Sequence, residues 1–256
     1  MENLRISTMT AVGSLDTNIN LSNFLKNLQP TDFLRYIETN SGNKGYAKKN
    51  DKKKRKITNK RTLFFNQGTL ILNFEGKLIN LKLFSNENAK YQITGLLSEG
   101  QGKRLVDKVI DYIKDFDINF IEDQQIFSKK EINITNYKIV MMNSDYDFGF
   151  QINRELLFND LVEEGYYTTY SPDGYPGVNS KYFWNTDNFA GICECCNRCD
   201  GKGSGSGDGN CRRITMAIFQ SGKMIITGSQ TVAQIEEAFN FINKYVTDDE
   251  NKYKLR

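Results

Sequence analysis

The chain has 256 residues, 39% of them hydrophobic, and a formal charge of +3, which is ordinary for a soluble protein and long enough for one large domain or two small ones with a real core. It contains no histidine, which excludes Ser-His and Cys-His catalysis and removes the commonest tunable acid–base group. No apolar run approaches the roughly 20 residues that span a bilayer, and MENLRISTMT has no basic region followed by an apolar stretch, so the expectation is a cytosolic or nuclear protein without a membrane partner.

Ile6–Leu15 has strand character, and Ile19, Leu21, Phe24, Leu25 and Leu28 recur at helical spacing, predicting a helix over 18–37. A loop is predicted from residue 40, with a β-rich stretch over 62–74 ending at Glu75-Gly76. Residues 77–84 and 90–94 flank a polar SNENA turn and read as a hairpin. Leu105, Val106, Val109, Ile110 and Ile113 then mark one helical face. After a linker over 116–135 the order repeats: a strand over 137–150, a helix over 152–164, and strands over 166–170 and 178–184 around a Pro-Asp-Gly-Tyr-Pro-Gly bend. A hairpin over 212–219 and 223–227 follows, then a helix over 230–246.

The repetition is also literal. FSNENAKYQITGL (84–96) and FQSGKMIITGS (219–229) share Phe, Lys, Ile-Thr-Gly. Adding 133 to Lys90, Thr94 and Gly95 gives Lys223, Thr227 and Gly228. Such a repeat predicts two equivalent halves, 1–115 with a basic loop at 40–61 and 136–256 with a Cys/Gly-rich insert at 186–211. Each half would form a curved antiparallel sheet with helices on one face, an α+β architecture. Joined edge to edge, they would make a pseudo-twofold saddle with a bare concave surface. The stretch Lys44–Arg61 holds ten basic residues and one Asp, so it fits a solvated loop, a nuclear-import signal or a phosphate-gripping arm.

A bare sheet face with apolar and Thr side chains, Lys at the hairpin turns and aromatics at the strand ends suits the DNA minor groove. The floor of that groove offers few hydrogen bonds, and its base steps can be wedged apart. A homodimer surface or a strand buried on both faces is the plainer alternative.

On RRITMAIFQSGKMIITGSQTVAQIEEAFNFI (212–242), YKIVMMNSDYDFGFQINRELL (137–157) and YSPDGYPGV (170–178), the sequence resembles the TATA-box-binding protein (TBP) family. The first half is similar more weakly, through ISTMT, FSNENAK and ITG. The inserts and the Asn/Lys/Ile-rich composition resemble the divergent TBP-like proteins of large nucleocytoplasmic DNA viruses. The resemblance implies a non-enzymatic transcription initiation factor that needs no cofactor. Its partners would be double-stranded DNA, a transcription factor IIB-like protein and RNA polymerase, in the host nucleus or a cytoplasmic viral factory.

Carried onto this chain, the resemblance makes Phe219 and Tyr175 the DNA wedges of the second half and Phe84 a wedge of the first, partnered by Phe65, with one wedge missing if Asn66 holds that slot. Thr94 and Thr227 would face base edges. Ile6, Gln92, Asn143, Ser221 and Ile225 would line the groove, and Lys90, Lys181 and Lys223 would reach phosphates. Pro172 and Asp173 would meet the IIB-like factor. The family's central Asn residues are replaced by Leu4 and Met141, which predicts a bias to A·T-rich DNA without a strict TATA consensus. The competing reading is a TBP-fold interaction scaffold that no longer binds DNA. A metal-dependent enzyme is a distant third.

All five cysteines lie in CECCNRCDGKGSGSGDGNC (193–211). Cys196 and Cys199 have zinc-knuckle spacing, and Cys193 and Cys211 complete a Cys₄ set, with Cys195 an equally available ligand. A zinc ion and a reduced glycine-rich loop remain the two open readings. Redox chemistry is a third.

Overall fold

The computed structural model describes residues 4–46, 64–117, 122–188 and 190–255. The basic run from residue 47 onward lies outside them. Two compact units divide the chain: Met9–Ile139, the first-repeat unit, and Met1–Thr8 with Val140–Arg256, the second-repeat unit. The division falls inside two long strands rather than in the 116–135 segment expected to act as a linker.

In the first-repeat unit the elements are β1 (Arg5–Leu15, entering at Met9), α1 (Leu21–Asn27), β2 (Leu34–Thr39), β3 (Gly42–Gly45), β4 (Gln67–Phe74), β5 (Lys77–Phe84), β6 (Lys90–Leu96) and α2 (Glu99–Asp117). Strand order is β3-β2-β4-β5-β6-β1, antiparallel throughout. The helix expected over 18–37 stops at Asn27. Leu28 is already extended, and Pro30 disfavours helical geometry in the residue before it. LRYIET then pairs with β4 as β2. The stretch expected to tether the halves instead packs onto this unit. The Asp117 carboxylate accepts the backbone N–H of Ile126 at 2.9 Å and of Phe127 at 3.1 Å, and both residues are buried.

The second-repeat unit holds β7 (Ile134–Asp147, entering at Val140), α3 (Arg154–Glu163), β8 (Thr168–Ser171), β9 (Tyr175–Trp184), β10 (Arg212–Ile218), β11 (Lys223–Ser229), α4 (Val232–Thr247) and α5 (Glu250–Tyr253), in the strand order β7-β11-β10-β9-β8. Strand alternation sends Met224, Ile226, Ile214, Met216 and Ile218 into a core shared with Phe239 and Ile242 of α4. Each such buried side chain contributes about 1.5–3 kcal/mol. The fold class is α+β.

The offset of 133 reaches beyond the quoted motif. Asn20 and Asn153 are both N-caps, accepting from Ser22 N at 3.1 Å and Leu156 N at 3.2 Å. Ser98 and Gln101 box the start of α2 as Thr231 and Gln234 box α4. Gly95 and Gly228 sit at φ +108° and +97°, where β6 slips by a residue against β1 and β11 against β7. The repeated Thr-Gly therefore encodes a bulge that needs glycine.

Candidate nucleic-acid interface

In the second-repeat unit, the strand residues that alternate with the core point away from α4. Cross-strand register lines them up in rows. Asn143, Thr227, Thr215 and Lys181 form one row; Asp145, Ile225, Ala217 and Asn179 form the next. Thr227 Oγ1 donates to Asn143 Oδ1 at 2.6 Å, and Lys181 Nζ donates to Thr215 Oγ1 at 3.0 Å. Lys181 thus lies across the sheet face rather than at a rim. Burial lowers its pKa, helped by Arg213. Lys223 and Ser221 are exposed at the β10–β11 turn.

At the end of these rows, Tyr175 and Phe219 meet with ring centroids 5.8 Å apart. Gly177 lies beneath them. A Cβ there would stand 2.9 Å from the Tyr175 ring and 3.2 Å from the Phe219 ring, so glycine lets the pair close without displacing either ring. Arg154, at the start of α3, donates to Pro176 O and, at 2.8 Å, to Gln220 Oε1, bracing both ring-bearing segments. Pro172 and Asp173 are exposed in the β8–β9 turn closed by Gly174 N to Ser171 O.

The first-repeat unit shows the same register with different chemistry. Thr10, Thr94, Asn80 and Ile71 form one row, and Val12, Gln92, Lys82 and Thr69 the next. Phe84 stands opposite Lys90, as Phe219 bonds across to Lys223. Gln67 pairs with Phe84, and one step beyond the Val178–Ile218 pair Gly177 faces Phe219. Counting two residues back from Gln67 and Gly177 matches Phe65, not Asn66, with Tyr175. Phe65 is 82% exposed, and among the described residues no ring contact joins it to Phe84. A groove of about 610 Å³ holds Val12, Phe84, Lys90, Gln92 and Lys138 and, among the described residues, is lined by no carboxylate.

Three placements differ from the sequence expectation. Leu4 packs against the second-repeat core instead of facing a groove. The residue 133 before Met141 is Thr8, so Leu4 and Met141 are not equivalent. Met141 does lie on the face, its sulfur 3.9 Å from Thr227 Oγ1. Ile6 stands between Arg5 and Ser7, whose side chains reach Asp145 and Asn143 O at 3.3 Å each. Alternation turns Ile6 to the side of Leu4. Cys196 is exposed, and the convergent thiols are those of Cys193, Cys195, Cys199 and Cys211.

Sequence reasoning missed the carboxylates. Asp145 and Asp147 share a groove of about 530 Å³ with Arg5, Phe219, Lys223 and Ile225. Asp145 ion-pairs with Arg5 at 3.3 Å, and Asp147 is in register with Lys223. Gly177 and Arg154 were missed as well. The offset of 133 sets Arg154 against Leu21 of the first repeat, whereas Gly177 and Gln67 are matched only by strand register.

The model of the family "Transcription factor TFIID (or TATA-binding protein, TBP)" matches residues 136–248. The TATA-box-binding protein-like protein of Acanthamoeba polyphaga mimivirus is 28% identical over 99% of this chain and 67% of its own length. The chain is thus similar to TBP-like proteins, most directly over residues 136–248. The solved structure of Methanococcus jannaschii TBP shares its fold, with a TM-score of 0.53 at 17% identity, covering 96% of this chain and 99% of that one. Among the described residues, no helix is long and apolar enough to cross a membrane.

Proposed function

We propose that this TBP-like protein binds double-stranded DNA through the minor groove, bends it, and recruits a transcription factor IIB-like protein and RNA polymerase. The observation that carries the reading is the shared register. In both units Thr94 or Thr227, Lys90 or Lys223, and Phe84 or Phe219 occupy matching positions on the sheet face turned from the core. Threonine and small apolar groups suit a groove floor that presents mainly acceptors. Lysines at the turns suit phosphate. Exposed rings at strand ends suit insertion between base steps. Hydrogen bonding of Asn143 to Thr227 and the presence of Met141 weaken direct readout, so preference would follow deformability and favour A·T-rich sequence. Pro172 and Asp173 offer an exposed turn for the IIB-like partner.

A second reading, a protein-binding scaffold without DNA, is favoured by one observation: Asp145 and Asp147 on the second-repeat face repel phosphate. The ion pair of Asp145 with Arg5 and the position of Lys223 opposite Asp147 reduce that cost. Fluorescence anisotropy with A·T-rich and G·C-rich duplexes at two salt concentrations separates the readings. Tighter A·T binding that weakens with salt is expected. No binding to either duplex at low salt establishes the scaffold.

A further inference from the structure

The segment from Asn185 to Cys211 joins β9 to β10 and is absent from the matching turn between β4 and β5, where Glu75-Gly76 suffices. It is closely built in. Thr186 N donates to Gly205 O at 2.8 Å, Gly203 N to Cys211 O at 3.0 Å, and Arg213 N to Gly201 O at 2.8 Å. Gly205 packs against the Trp184 indole. The glycines thus allow close approach to β9 and β10 rather than slack.

At its centre the sulfurs of Cys193, Cys195, Cys199 and Cys211 all lie within 4.8 Å of one another. Cys195 and Cys211 are 3.4 Å apart, and Cys211 and Cys193 are 3.9 Å apart. Four thiolates around a tetrahedral zinc ion at about 2.3 Å sit about 3.8 Å from each other. A disulfide would draw two sulfurs to about 2.0 Å and leave the others out. The cluster therefore has the span of a four-sulfur shell and not of two bonded pairs.

Its surroundings fix which thiols face in. The Asp208 carboxylate accepts the backbone N–H of Cys196 at 2.8 Å and of Asn197 at 3.1 Å, setting a turn that leaves Cys196 outside and Cys195 inside. Asn185 Nδ2 donates to Cys211 Sγ at 3.5 Å and to Gly207 O at 2.9 Å. An amide donor to sulfur is the outer support that metal-bound thiolates receive. Cys211, the innermost, is 2% exposed.

We propose that Cys193, Cys195, Cys199 and Cys211 bind a structural zinc ion that closes the 185–211 insert. Binding turns the four thiols into thiolates and releases their protons to solvent. With all four positions filled by sulfur, no site is left for water or substrate, so the ion has a structural role. Its mechanical consequence runs through Arg212, next in sequence to Cys211. That guanidinium donates to Gly228 O at 2.9 Å and Val140 O at 3.3 Å, and to Lys202 O and Gly203 O at 3.4 Å. It ties the insert to β11 and β7 at the bulge beside Thr227.

The test is metal analysis of the full chain purified under reducing conditions with zinc supplied. One zinc per chain is expected in the wild type and in Cys196→Ser, and almost none in Cys195→Ser. A chelator should lower the thermal midpoint read from Trp184, the chain's single tryptophan. Should Cys195→Ser fail to fold, cobalt titration of the wild type decides: a tetrahedral thiolate spectrum at one equivalent supports the site. Wild type without zinc or cobalt, loss of metal in Cys196→Ser equal to that in Cys195→Ser, or a mass lowered by disulfide formation overturns it. None of these readouts depends on DNA binding.

Discussion

The two repeats share a backbone plan and differ in how their aromatic ends are prepared. In the second, Tyr175 and Phe219 are in contact over Gly177, and Arg154 braces the segments that carry them. In the first, Gln67 fills the position of Gly177, its amide bonded to Thr69 Oγ1 at 3.0 Å, and Leu21 stands in place of Arg154. Phe65 and Phe84 are left apart. The faces differ in charge too: among the described residues, lysines without a carboxylate line the first groove, and Asp145 and Asp147 offset the cations of the second. Even the central hydrogen bond is uneven. Thr227 bonds to Asn143, whereas the buried Thr10 hydroxyl has no partner among the described residues. A duplicated fold thus keeps what the bulges and caps require and lets the surface diverge. The second repeat holds a preorganised ring pair and the first a more cationic platform.

Four perturbations sharpen or break that contrast. The largest effect is expected from the rings. Tyr175→Ala should weaken binding to an A·T-rich duplex ten- to thirtyfold, about 1.4–2 kcal/mol, and Phe65→Ala by a few-fold only. Anisotropy titrations check this, and equal losses would erase the preorganisation argument. Next, Arg154→Leu, which imports the residue of the first repeat, should cost roughly fivefold in affinity. Its signature is a slower approach to the bent complex in stopped-flow energy transfer, since the rings must then be ordered during binding. Gly177→Ala should act in the same direction by pushing the rings apart.

Removing a carboxylate from the face tests the electrostatic half. Asp145→Asn should tighten DNA binding about twofold to fivefold at low salt, with the gain fading as salt rises. A loss would mean that Arg5 needs Asp145 to hold its place more than DNA needs the charge removed.

The smallest effect concerns stability. Asp160 of α3 sits 2.7 Å from both Lys252 Nζ and the Tyr253 hydroxyl. Burial alone would raise its carboxyl, but the Lys252 ammonium and the Tyr253 hydroxyl prevail and hold it below 3.8. Stability from a depressed carboxyl is fully present above the unfolded value near 3.8 and is lost as pH falls through the folded value. The first repeat has neutral Asn27 at this position. Asp160→Asn should therefore cost roughly 1 kcal/mol at neutral pH and little in strong acid. Urea unfolding followed through Trp184, which lies in the second repeat, reports it. A cost that persists in strong acid would point to packing instead.

Much of this was legible in the sequence, because the repeat fixed register. Once Thr94 and Thr227 are equated, the hairpin lysines, the glycine bulges and the helix caps follow by arithmetic, while Phe84 and Phe219 are matched by strand register because their turns differ in length. The failures have physical causes. The helix built on the spacing of Leu21 and Phe24 ends at Asn27, ahead of Pro30, and β pairing with β4 takes over from Leu34. Leu4 and Met141 are equated by resemblance rather than by register; the offset of 133 pairs Met141 with Thr8, and the core contact of Leu4 agrees with the mismatch. Cys195 and Cys196 cannot be told apart by spacing, because a turn set by Asp208 decides which faces inward. Arg5 and Asp145 are 140 residues apart, and no local pattern announces such a pair.

The most direct test of the central claim is bending of an end-labelled A·T-rich duplex, followed by energy transfer between its ends, with wild type and Phe219→Ala at matched saturation. The account predicts shortened end-to-end distance with wild type, lost or strongly reduced with Phe219→Ala while Phe84→Ala keeps part of it. Bound but unbent DNA with wild type, or bending indifferent to Phe219, would contradict it.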